Sequence, residues 1–148
     1  MHINYEAPNK YIWDIPIFNE DGTVTDRVLT GLENVLSAYV DIAESASVHL
    51  DQNKENYHVE QVMIVGSGSQ RNRVDSDLDL MLISPDLDDR DCSMAKMILS
   101  AIYFNDKPKT EAIDVFVRRE DKFPSRASTD ITEQVIEILD NYNQRLYE

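Results

Sequence analysis

VGSGSQRNRVDSDLDLMLI, residues 65–83, decides how this chain is read. An apolar run, Val62 to Val65, stops at Gly66, and a polar stretch follows that holds Ser67, Gly68, Ser69, Arg71 and Arg73. Asp77 and Asp79 then alternate with leucines in DLDLMLI. Two of the chain's four glycines stand in the single tripeptide GSG. Glycine there permits positive φ and lets backbone N–H groups come close to a ligand, while Ser67 and Ser69 add hydroxyl donors. A strand places residues i and i+2 on one side, so Asp77 and Asp79 project together. Their charges repel unless a cation lies between them, and Mg²⁺ takes hard oxygen ligands while keeping room for phosphates. The order suits a site that holds a phosphate on backbone N–H groups and a divalent metal on carboxylates.

Working outward, residues 77–83 read as a strand with Asp77, Asp79 and Met81 on one face and Leu78, Leu80 and Leu82 on the other. Residues 58–65, HVEQVMIV, become fully apolar toward their end, the mark of a strand central in its sheet. Residues 111–118, EAIDVFVR, form a third strand in which Asp114 shares a face with Ala112 and Phe116, opposite Ile113, Val115 and Val117. An acid set in an apolar strand is costly without a partner. Asp114 is therefore the candidate for the third carboxylate, the ligand or base that two-metal chemistry needs.

Helices fill the intervals. Leu29, Leu32, Leu36, Val40 and Ala43 make one stripe over residues 25–50, with Thr25 or Asp26 as the cap. Residues 89–104 fit a helix whose inner side is Met94, Met97, Ile98, Ala101 and Ile102. A last helix is expected from about Asp130 to Tyr147, with Asp130 and Glu133 as a capping box and Ile131, Val135, Ile138 or Leu139 and Tyr142 as its stripe. The polar segment 51–56 and KPKTE read as loop and turn. The order predicts a small α/β or α+β unit, a short mixed sheet with helices packed on it, over residues 25–148. Residues 1–24 form an arm or hairpin, with YIWDIPIF strand-like, Pro16 placing that strand at an edge, and NEDG as the turn.

The chain has 148 residues, one domain's worth, and 42% hydrophobic residues, enough for a core. No apolar run approaches the ~20 residues of a membrane helix, no secretory leader is evident, and the lone Cys92 reads as a small half-buried helix residue. A reducing cytoplasm fits these features. Net charge is −14, carried by the flanks: residues 1–60 hold 11 acids and 3 bases, residues 127–148 hold 5 and 1, and residues 61–126 are near balance with 12 and 10. Such an acidic envelope disfavours long nucleic acid as a partner.

With these motifs in place, the chain resembles the nucleotidyltransferase superfamily of DNA polymerase β. That signature is a hydrophobic residue, Gly-Ser or Gly-Gly, about ten residues, Asp-x-Asp, and later a third Asp on a strand. Val65-Gly66-Ser67, Asp77-Leu78-Asp79 and Asp114 match its parts, and the resemblance covers roughly residues 25–148. No second domain follows, so the chain is similar to the minimal members. Many of those carry Gly-Ser-Arg-x-Arg-Gly, where this chain has Gly-Ser-Gly-Ser-Gln-Arg-Asn-Arg.

The resemblance implies two Mg²⁺ ions, with Mn²⁺ as a substitute, held by Asp77, Asp79 and Asp114 as metal ligands and catalytic residues. It implies that Gly66 and Ser67, with Ser69, hold the phosphates, and that Arg71 and Arg73 add positive charge at the triphosphate. The NTP would be ATP first of all. An NMP would pass to a hydroxyl of a protein or small molecule, as in minimal members that act as antitoxins on a partner. Template-independent addition to the 3′ end of RNA or tRNA is the alternative, served by a patch of Lys107, Lys109, Arg118, Arg119, Lys122 and Arg126. A nucleotide-binding module without catalysis is a third. A partner subunit and a homo-oligomer are both compatible with the reading.

Overall fold

Period-two alternation of apolar residues builds a four-stranded mixed sheet, and one of its faces carries the helices. The computed structural model describes residues 15–66, 78–105, 113–120 and 127–148. The strands are β1 (Gln61–Val65), β2 (Leu78–Ile83), β3 (Ile113–Arg118) and β4 (Ser128–Asp130), in spatial order β3-β2-β1-β4. β1 runs antiparallel to both β2 and β4, and β2 runs parallel to β3. The helices are α1 (Asp26–Leu50), α2 (Asp89–Ser100) and α3 (Ile136–Arg145). The architecture is α+β, with α2 linking the parallel pair.

Val62 and Ile64 of β1, Leu78, Leu80 and Leu82 of β2, and Ile113, Val115 and Val117 of β3 face the helices in one core. The expected α1 stripe is there, with Leu32, Leu36, Val40 and Ala43 buried and Leu29 packed at the margin. Gly31 lets α1 sit close to the sheet: a Cβ there would lie 3.0 Å from Ile113 Cδ1 and 3.3 Å from Leu78 Cδ2. Tyr39 of α1 stacks on Tyr142 of α3 at 5.7 Å and meets Tyr57 edge-on at 5.5 Å. Its hydroxyl is hydrogen-bonded to Ser84, just after β2, at 2.9 Å, and Tyr142 donates to the Tyr57 carbonyl at 2.8 Å. Buried tyrosines bring large apolar area, and their hydroxyls need such partners.

Several expectations are corrected in detail. Thr25 stands at the N-cap of α1, but its hydroxyl donates to the Pro16 carbonyl at 2.6 Å instead of accepting from the helix. Residues 58–60 are not strand, and residues 54–56 of the expected loop form a 3-10 turn with Tyr57. Asp130 does not open the last helix. Residues 128–130 pair with β1 as β4, a 3-10 turn spans Thr132–Val135, and α3 begins only at Ile136. Asp130 accepts from the Thr132 N–H at 2.9 Å, an Asx-type turn in place of a capping box. Burial would raise its pKa, but the hydrogen bonds from Thr132 and Gln61 outweigh burial and hold it below the usual value.

The largest correction concerns α2. Its buried residues are Cys92, Ala95 and Leu99, while Met94, Met97 and Ile98 face outward, and Ile102 beyond its end does so too. Small residues at Cys92 and Ala95 let the helix close onto its neighbours, and the bulkier side chains are left on the far side. In the arm, Asn19–Gly22 is a turn, with the Gly22 N–H donating to Asn19 O at 2.9 Å, and Phe18 bridges Val24. Ile17 is fully buried in the main core. Residues 11–14 of the expected edge strand and the KPKTE turn lie outside the described residues.

Overpacking the closest helix–sheet approach should be costly. Gly31→Val should lower unfolding free energy by roughly 1–3 kcal/mol in urea titration, despite the better helix propensity of a non-glycine residue. No loss would show that the seat has spare room. Burial pushes the Cys92 thiol up to about 11. At about pH 8 a disulfide reagent should therefore label the native chain at least roughly tenfold more slowly than the urea-unfolded chain, and equal rates would contradict that burial.

Candidate functional site

Asp79 of β2 and Asp114 of β3 are direct partners in the parallel register, flanked by Leu78↔Ile113 and Leu80↔Val115. Partners in register share a face, so both carboxylates leave the sheet on the side away from the helices. Both residues are half-buried. Adjacent strands lie about 4.8 Å apart, so the two carboxylates are near neighbours. At about 5 Å and an effective dielectric near 20, their repulsion is on the order of 3 kcal/mol. Such a pair calls for a cation.

One cation is already at hand. The Lys96 ammonium, from α2, reaches Asp114 Oδ1 at 3.3 Å and lies 4.3 Å from the centre of the Phe116 ring. It also approaches the Val115 carbonyl and the Ser100 hydroxyl at 3.5 Å each. β3 is an edge strand, so a long side chain can curl from the helix layer round that edge. Nothing in the linear spacing of Lys96 and Asp114 points to this contact. It depends on how α2 is laid against β3.

The same end of the sheet carries the glycine turn. β1 pairs Ile64 with Leu80, so β1 finishes beside the β2 segment that holds Asp79. Gly66 follows with φ +75°, a conformation that disfavours any side chain. Its own N–H donates to the Ala127 carbonyl at 3.1 Å, which extends the β1–β4 ladder. Gly66 thus serves by turning the chain, and N–H groups for an anion would have to come from the residues after it. β4 pairs Ser128 with Val65, so Ser128 joins the face that bears Asp79 and Asp114. Its hydroxyl is exposed there, a polar residue that the expected helix start at Asp130 conceals. Deeper on this face, Met63, Val65, Met81 and Ile83 are buried in a second apolar cluster with Phe116 packed against it.

Of the sequence-derived site residues, Gly66, Asp79 and Asp114 are therefore brought to one end of the sheet, the two acids in register. Ser67, Ser69, Arg71, Arg73 and Asp77 lie outside the described residues. Among the described residues no group of three or more metal-capable side chains comes together. The donor chemistry of Asp79 and Asp114, two hard carboxylates on one face, fits Mg²⁺ or Mn²⁺.

The Lys96–Asp114 pair is more than one-quarter exposed on both sides, at 37% and 27%, so its worth to stability should be small. A double-mutant cycle of Lys96→Met and Asp114→Asn, read by urea unfolding, should give a coupling of about 0.2–1 kcal/mol. A coupling well above that would make the pair a structural clamp.

No family model, characterised protein or solved structure matches this chain.

Proposed function

We propose that the chain is a Mg²⁺-dependent nucleotidyltransferase that moves an NMP, AMP in first place, from an NTP to a hydroxyl of a protein or small molecule. The observation that carries this reading is the parallel register of Asp79 with Asp114 at the sheet end where β1 turns at Gly66. The residues of this chain would divide the work as follows. Asp79 and Asp114, with Asp77, would hold the metal. Asp114 accepts the proton of the acceptor hydroxyl, which then attacks the α-phosphate in line as pyrophosphate departs. Ser67 and Ser69 offer donors to the β- and γ-phosphates, and Arg71 and Arg73 offer charge. Lys96, already on Asp114, limits its negative charge before substrate arrives. Bound Mg²⁺ supplies Lewis-acid polarisation and neutralises phosphate charge.

Addition to RNA draws less support. Arg118 closes β3 four residues, about 13 Å, from Asp114, and Arg119 lies one residue beyond the strand. The other cations of the expected patch, at 107, 109, 122 and 126, lie outside the described residues.

Asp79→Asn and Asp114→Asn should each lower transfer by at least roughly 10²-fold, because the catalytic work is charge placement. Unfolding midpoints should stay close to that of the parent, since both side chains are only half-buried and the substitutions keep their size while removing like charge. The assay is α-labelled NTP with Mg²⁺ and either lysate protein or total tRNA. Label on protein or small molecule supports the reading, label on RNA favours the polymerase alternative, and retained transfer in Asp79→Asn refutes the site.

A further inference from the structure

The outward-facing residues of α2 border a groove. Met94 and Ile98 are 43% and 42% exposed, and with Ile42 and Leu50 of α1 they line a hollow of about 380 Å³ between the two helices. Tyr57 lies at its floor, buried. Among the described residues that line it, the charged ones are Asp41 and Asp91, and both are acids. The groove lies in the helix layer, across the sheet from Asp79 and Asp114, so it is separate from the candidate site.

We propose that this groove docks an amphipathic helix of a partner protein, apolar on the side that enters and rich in lysine or arginine on its flanks. Shape supports a helix, because a trough between two helices accepts the apolar ridge of a third. Unbranched methionine adapts its rotamers to varied partners, which suits an exposed binding wall. Charge selects the flanks. Asp41 and Asp91 border the apolar strip, and the whole chain carries −14. A second copy is a poorer fit, since pairing two such chains groove to groove would set acids against acids. An anionic lipid surface is a poorer fit for the same reason, because it needs cations around the apolar strip. This proposal is independent of nucleotidyl transfer and stands or falls without it.

The probe is a fluorescein-labelled peptide of about 18 residues, with leucines at i, i+3, i+4 and i+7 and lysines elsewhere. Anisotropy with the full chain should show saturable binding that weakens at least roughly tenfold in Ile98→Asp. That variant adds an acid, so general attraction of a cation to an anionic protein would hold or grow. Unchanged or tighter binding by Ile98→Asp overturns the proposal. Met97→Asp, exposed but outside the groove lining, should bind as the parent does. If circular dichroism shows Ile98→Asp unfolded, Met94→Asp takes its place with the same expected loss. Equal binding of a leucine–glutamate peptide overturns the charge assignment. Self-association in sedimentation that Ile98→Asp abolishes would make a second copy the occupant, and it too overturns the proposal.

Discussion

The parallel pairing of β2 with β3 is the constraint on which the site depends. Leu78↔Ile113 and Leu80↔Val115 face the helices, so Asp79↔Asp114 must face away. A slip of one residue on either strand would turn its leucines or valines into water and drive an aspartate into the core. The hydrophobic effect thus enforces a juxtaposition that electrostatics opposes. Burying the apolar side of both strands contributes enough to hold two like charges one strand spacing apart. α1 fits against Leu78 and Ile113 through Gly31, one residue before each acid, so helix packing and acid placement are parts of one arrangement.

Lys96 shows how the fold manages that repulsion. Its stem runs from α2 to the β3 side of the described sheet, its ammonium meets Asp114, and the Phe116 ring lies beneath it. Such an exposed pair adds little to stability. Its effect is local: it offsets part of the negative charge that Asp79 and Asp114 bring together. Across the sheet the row ends with Ser128 on β4 and the Gly66 turn on β1, and Asp130, two residues beyond Ser128, lies on the same face with its carboxylate held by Thr132 and Gln61.

The legible part of the fold follows from strong periodicity. The α1 stripe, the alternation in β2 and β3, and the apolar end of β1 could be read residue by residue, because burial on one face leaves a period in the chain. β4 left no such trace. Ser-Thr-Asp is three polar residues, and it is a strand only because β1 offers it an unpaired edge. On α2 the buried face differs from the one that hydrophobicity alone indicates. Met94, Met97 and Ile98 are the more hydrophobic set, but close helix–sheet approach selected the smaller Cys92 and Ala95 along with Leu99.

Sequence alone determined which residues are chemically capable: the two-residue spacing of Asp77 and Asp79, the odd acid Asp114 in an apolar strand, and a glycine where the backbone turns at positive φ. These are local properties, set by side-chain chemistry and by strand geometry. Tertiary structure alone decided that Asp79 stands opposite Asp114, that Lys96 reaches Asp114, that Ser128 shares the face, and that two helices leave an apolar groove flanked by Asp41 and Asp91. Those outcomes depend on strand order, register and helix placement, which arise from many weak apolar contacts between distant segments and leave no mark in any one of them.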